Sequence, residues 1–110
     1  MKKQILFPLT FLSIIFLSNA QIPHVLTLND IHLKNGEISN YRSSYTDLII
    51  PSFIDGQTIT SIADETFENK SITSVMLPST LKSIGKNAFE KNELTSVEIP
   101  DSVIMVDDYA

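Results

Sequence analysis

Ile72-Thr73-Ser74-Val75-Met76-Leu77-Pro78 and Leu94-Thr95-Ser96-Val97-Glu98-Ile99-Pro100 are two versions of one heptapeptide, set at an offset of 22. The same offset carries Ile62 to Ile84 to Val106, Phe67 to Phe89, Glu68 to Glu90, Leu81 to Val103 and Ala88 to Ala110. An earlier copy stands at an offset of 27, where Tyr45, Leu48, Ile50 and Pro51 match Ile72, Val75, Leu77 and Pro78. The five extra residues fall around Phe53-Ile54-Asp55-Gly56-Gln57, which predicts a turn bulging from the first coil.

A fixed period of this length is the signature of a solenoid, in which each repeat supplies one strand and one return segment. In Leu94-x-x-Val97-x-Ile99 the last two apolar residues share one side of a strand. Pro100 then ends it, having no N–H to give a neighbouring coil. Ile84-Gly85 and Ala88-Phe89 make the return, and Gly85 is expected to take a turn conformation closed to most residues. The predicted core comprises Leu48, Ile50, Ile62, Phe67, Val75, Leu77, Ile84, Phe89, Leu94, Val97 and Ile99, with Phe67 and Phe89 stacked as an aromatic column. One such repeat holds too little apolar surface to offset the ordering of its own backbone, so each coil depends on the next and the ends need covers.

At the N-terminal side, Val25-Leu26-Thr27-Leu28 and Ile31-x-Leu33 are apolar and partly alternating, and Asn35-Gly36 stands at the centre of a tight-turn signal. With Ile38 and Tyr41 continuing the return strand, residues 21–44 are expected to form a capping hairpin. Repeats then occupy 45–71, 72–93 and an incomplete 94–110. The C-terminal side shows no such cover. It reads as a truncated fragment of a longer array with no independent activity, or as an open end through which the chain self-associates.

The run Leu81-Lys82-Ser83-Ile84-Gly85-Lys86-Asn87-Ala88-Phe89, followed by Leu94-Thr95-Ser96-Val97-Glu98-Ile99-Pro100, resembles the BspA-type leucine-rich repeats of bacterial surface proteins. The resemblance covers about residues 45 to 110, and it implies adhesion or host-protein binding. Ala63 and Asp107 stand where the pattern has Gly85. The expected fold is a β-rich α/β solenoid, a leucine-rich repeat array of about 2.5 coils with an N-terminal β-hairpin cap.

Residues 1–20 have the plan of a secretory signal peptide: Lys2 and Lys3, an apolar run from Ile5 to Leu17, then Ser18-Asn19-Ala20. That run is short of the roughly 20 residues a spanning helix needs. Cleavage after Ala20 would leave no transmembrane span and place the chain outside the cell or on its surface; the alternative is an uncleaved anchor. The net charge of −5 becomes −7 without Lys2 and Lys3, which argues against a non-specific nucleic-acid binder. With no cysteine there is no disulfide framework, thiol catalysis or cysteine-based zinc site.

No nucleophile stands with a base, and no phosphate-binding glycine loop or metalloprotease motif occurs, so the chain is read as non-enzymatic, without cofactor or metal. His24 and His32 lack further ligands, Asp30 apart. The acidic pairs Asp64-Glu65 and Asp107-Asp108 read as solvating charges, and Glu68, Glu90, Lys70 and Lys91 as a solvated edge. Asn69-Lys70-Ser71 fits the N-linked acceptor pattern, and Asp101-Ser102-Val103 is similar to an O-glycosylation pattern of some anaerobic Gram-negative bacteria. What remains is the outward side of the strands. If Val75, Leu77, Val97 and Ile99 point in, then Ser74, Met76, Ser96 and Glu98 point out, with Asp47 and Ile49 matching them in the first coil. Ile49 and Met76 would form a short apolar strip edged by Asp47, Glu98 and Asp101, a face for a protein or glycan partner.

Overall fold

The computed structural model describes residues 22–110, so the leader assigned to residues 1–20 lies outside it. Two parallel ladders run up the stack of coils. The first is ordered β1-β4-β8, made of His24–Val25, Asp47–Ile49 and Ser74–Met76. The second is ordered β10-β9-β7-β3-β2, made of Met105–Val106, Ser83–Ile84, Ser61–Ile62, Glu37–Ser39 and His32–Lys34. All its pairings are parallel except β2 with β3, which form the hairpin turned by Asn35-Gly36. The leucine-rich repeat solenoid read from the periodicity is the observed fold. Its return segments are turns and short strands, with no helix among the described residues.

The alternation inside each heptapeptide builds the first ladder. Leu48 pairs in register with Val75, and both point inward, while Ile49 pairs with Met76 on the outer side. In the second ladder Ile38, Ile62, Ile84 and Val106 stand in one column. Between the ladders runs the aromatic column. Phe67 and Phe89 are stacked at 5.0 Å and 6°, and Tyr41 adds a third ring, tilted at 43° and 5.1 Å from Phe67. The hairpin strand β3 is therefore part of the same stack: it supplies both a ladder rung and, just beyond it, the first aromatic ring.

The backbone between columns is satisfied by adjacent coils. Gly85 N–H donates to the Ile62 carbonyl, and Lys82 N–H to Thr60. In the turns the direction reverses, with Phe67 N–H donating up to Ala88 and Phe89 N–H to Ala110. Glu65, Asn87 and Tyr109, each one period from the next, all have left-handed backbone at φ 57–59° despite three different side chains. Such residues persist only where surroundings over-determine them. Here the Glu65 and Asn87 N–H groups are spent on carbonyls of the next coil, Lys86 and Asp108. Asn92 reinforces the same turns. Its amide donates to the Phe67 and Phe89 carbonyls at 2.7 and 2.8 Å, and its oxygen accepts from the Lys70 and Ile72 N–H groups.

Three expectations change. Val97 and Ile99, assigned to the core, are 39% and 43% exposed, and residues 94–100 form no strand. They are covered only from the side of the preceding coil, as is Val106 at 55% against 3% for Ile84 one coil below. Leu94 and Phe89 are partly buried against the core. Gly85, expected to serve by a left-handed turn, has no such backbone. A Cβ there would lie 2.5–2.8 Å from Asp64 and the Ala63 backbone, so coil-to-coil approach is what excludes a side chain. The five-residue insertion is more ordered than a plain turn: Phe53–Ile54 (β5) and Gln57–Thr58 (β6) make a hairpin with Asp55 and Gly56 at φ 52° and 75°.

Phe67→Ala should cost about 3–5 kcal/mol, since it opens a cavity between the Tyr41 and Phe89 rings, and urea unfolding of the purified chain measures it. Gly85→Ala should destabilise by about 1–3 kcal/mol through overpacking; an unchanged or raised midpoint would show that the coils can separate there.

Candidate functional site

The outward side of the first ladder gathers the residues singled out above. Register places Asp47 beside Ser74 and Ile49 beside Met76. Val25 of β1 stands beside Ile49, extending the strip by one rung that the repeat offsets did not reveal. Met76 is 63% exposed and Val25 is exposed, while Ile49 is half-buried between them. At one end the strip opens into a groove of about 460 Å³ lined by Val25, Leu28, Pro51, Phe53 and Asp55. At the other end, Met76, Ser79, Glu98, Ile99 and Asp101 line a second groove. Ser96 and Glu98 are exposed but belong to no strand.

A buried polar cluster lies beneath this end of the ladder. The Asp30 carboxylate, 3% exposed, accepts from His24 Nε2 at 2.8 Å, Thr27 N–H at 2.9 Å, the Thr27 hydroxyl at 3.2 Å and the Ser43 hydroxyl at 2.5 Å. The His24 ring is stacked on Tyr45 at 3.5 Å. Arg42 closes the 28–31 turn by donating to the carbonyls of Leu28, Asn29 and Ile31. Burial pushes the Asp30 carboxyl up, but the hydrogen bonds from Ser43, His24 and Thr27 and the attraction of His24 outweigh it and hold it below 3.8. Burial, then the nearby Asp30 charge, push the Tyr41 hydroxyl up to about 12, where it donates to the Tyr45 carbonyl.

This cluster contains a serine, a histidine and an aspartate, yet in the wrong order for acyl transfer. A nucleophilic serine needs the imidazole against its hydroxyl; here the carboxylate sits between them. The cluster ties the turn to β1 instead. Its sequence signal was a lone aspartate between Leu28 and Ile31 in an apolar stretch. Among the described residues no group of histidine, aspartate and glutamate could hold a metal ion.

The other sequence candidates are dispersed. His32 is exposed on β2. Asp64 accepts from the Lys86 N–H and so braces the next turn, and Lys91 lies 3.8 Å from Glu68 at the solvated edge. Asn69 is exposed in a turn, and Ser102 is half-buried with its hydroxyl oxygen covered and without a hydrogen-bond partner. Leu77, Ile84, Phe89, Leu94, Val97 and Val106 enclose an apolar cavity of about 180 Å³ at the last described coil. No described helix is long and apolar enough to cross a membrane.

Comparison with known proteins gives two findings. The family model described as "BspA type Leucine rich repeat region (6 copies)" matches residues 36–110, starting within the N-terminal hairpin at Gly36. Among solved structures, a leucine-rich repeat protein of T. pallidum matches with 29% identity and a TM-score of 0.60, over 64% of this chain and 34% of that one. The chain thus spans about a third of that relative's length. No curated protein matches the sequence.

Asp30→Asn should destabilise the fold at neutral pH by roughly 1–3 kcal/mol, the cost of disturbing a buried, fully bonded acceptor. Because the folded carboxyl titrates below 3.8, its contribution is complete above that value and is lost as pH falls through the lower folded value. Urea midpoints of parent and variant should therefore converge in acid. Tyr41 acts at the other extreme: its share of stability is full below pH 10 and declines as pH rises towards about 12.

Proposed function

The chain belongs to the BspA-type leucine-rich repeat family, and on that premise we propose that it is a non-enzymatic binding module that uses the outward face of its first ladder. The observation that carries this reading is the register of Ile49 with Met76, extended by Val25. It lines up the exposed Val25 and Met76 on either side of the half-buried Ile49, on three hydrogen-bonded strands. Strands fixed by coil-to-coil ladders present such a face at little ordering cost, which is what a recognition surface needs. Asp47, Ser74, Ser96 and Glu98 supply the polar surround. The signal-peptide pattern of residues 1–20 supports export, with cleavage after Ala20, to the surface or the medium. Adhesion to a host or matrix protein is the activity this family membership favours. The placement of Asp30 between Ser43 and His24 supports the non-enzymatic reading.

A second reading is favoured by one observation, the apolar cavity walled by Val97 and Val106. Its walls are those of a coil interior, so this chain can be read as the opening part of a longer array whose activity requires further coils. Self-association through that surface is the third use it would allow.

Ile49→Lys and Met76→Lys test the first reading. Each should lower capture by immobilised matrix proteins by about tenfold, the scale of a central interface residue. Thermal midpoints should stay within a few degrees, because both residues face outward. Capture unchanged in both variants would remove the face from consideration.

A further inference from the structure

The charged side chains that stand on the strands of this face or line its two grooves are acidic. Asp47 flanks it on β4, Asp55 lines the groove at the Phe53 end, and Glu98 and Asp101 line the groove at the Met76 end. The six cationic side chains of residues 22–110 are Lys34, Arg42, Lys70, Lys82, Lys86 and Lys91, and none lies on β1, β4 or β8 or lines either groove. Elsewhere the signs mix, as where Lys91 meets Glu68. Arg42 borders the groove at the Phe53 end, but its guanidinium is spent on the carbonyls of Leu28, Asn29 and Ile31. The strip itself is aliphatic and thioether, Val25, Ile49 and Met76, with Leu28 and Phe53 at one end. One aromatic ring, Phe53, and one amide, Asn29, line the groove at that end, and no phenylalanine, tyrosine, asparagine or glutamine stands on β1, β4 or β8 beside the strip.

We propose that this face selects a protein segment whose apolar side chains are bordered by lysine or arginine. The apolar residues would lie along Val25, Ile49 and Met76, and the flanking cations would meet Asp55 at one end and Glu98 with Asp101 at the other. This rests on the binding role proposed above and adds the chemistry of the partner. An acidic rim around an apolar centre favours such a segment in two ways: it attracts cationic partners at a distance and repels acidic ones, a second copy of this −7 chain among them.

The test uses the mature chain and three labelled probe peptides sharing an alternating leucine–serine centre, flanked by lysines, by serines or by glutamates. Fluorescence anisotropy should show the lysine-flanked peptide bound most tightly and the glutamate-flanked one least, with the difference shrinking as salt is raised. The combined variant Asp55→Asn, Glu98→Gln, Asp101→Asn leaves side-chain size unchanged. It should weaken the lysine-flanked peptide at least threefold, about the product of three modest rim pairs, and leave the serine-flanked one unaffected. Met76→Lys should weaken both. Equal binding of all three peptides, still lost in Met76→Lys, would overturn the charge selection while leaving the binding face standing. Binding of none, or binding indifferent to Met76→Lys, would overturn both, with circular dichroism showing the variants folded.

Discussion

Every coil of this molecule is finished by its neighbours. The apolar side chains of one repeat point into a space that only the next repeat closes, and the backbone polar groups between them have partners only across the gap. The hydrogen bonds run both ways, up the stack from Phe67 to Ala88 and down it from Gly85 to Ile62. A buried N–H or carbonyl without a partner is costly, so a coil removed from the stack would lose its apolar cover and its hydrogen bonds together. That double dependence is why Gly85 tolerates no side chain against Asp64 and why Glu65 and Asn87 hold the same left-handed turn. It also fits the exposure of Val97, Ile99 and Val106, which among the described residues are packed only against the preceding coil.

The same constraint shapes the candidate site. Val25, Ile49 and Met76 come from three separate stretches of the chain, yet the ladder sets them side by side. No loop has to close to assemble the face. The Asp30 cluster fixes the entry of the first rung: His24, which pairs with Leu48, is itself held by the carboxylate and by Tyr45. Order in the face thus begins with a buried polar knot and is carried upward by backbone pairing.

The repeat itself was plainly legible, because a solenoid writes its packing into the chain as a period. Leu48, Val75, Phe67, Ile84 and the outward Met76 all follow from the repeat offsets. What periodicity could not show was anything that happens once. Tyr41 joins the aromatic column at an offset of 26 from Phe67, outside the period, and Val25 joins the strip through a rung with no heptapeptide. Asn92 acts through side-chain bonds to backbone groups of two coils, and Asp30 through bonds to the His24, Thr27 and Ser43 side chains, and neither set recurs with the period. Gly85 was read as a conformational residue, and the true cause, contact with Asp64, lies in another coil. Val97 and Ile99 match the core pattern and still lie partly in water, because a pattern records what a side chain suits and not what covers it.

Native-state hydrogen exchange tests the interdependence of the coils most directly. The amides of Phe67, Thr73 and Gly85 each donate to a different coil from their own. They should exchange with one common opening free energy, matching that of global unfolding, while amides near Met105 exchange faster. Opening free energies that differ among Phe67, Thr73 and Gly85, or fast exchange at Phe67 and Gly85 in a folded protein, would contradict it.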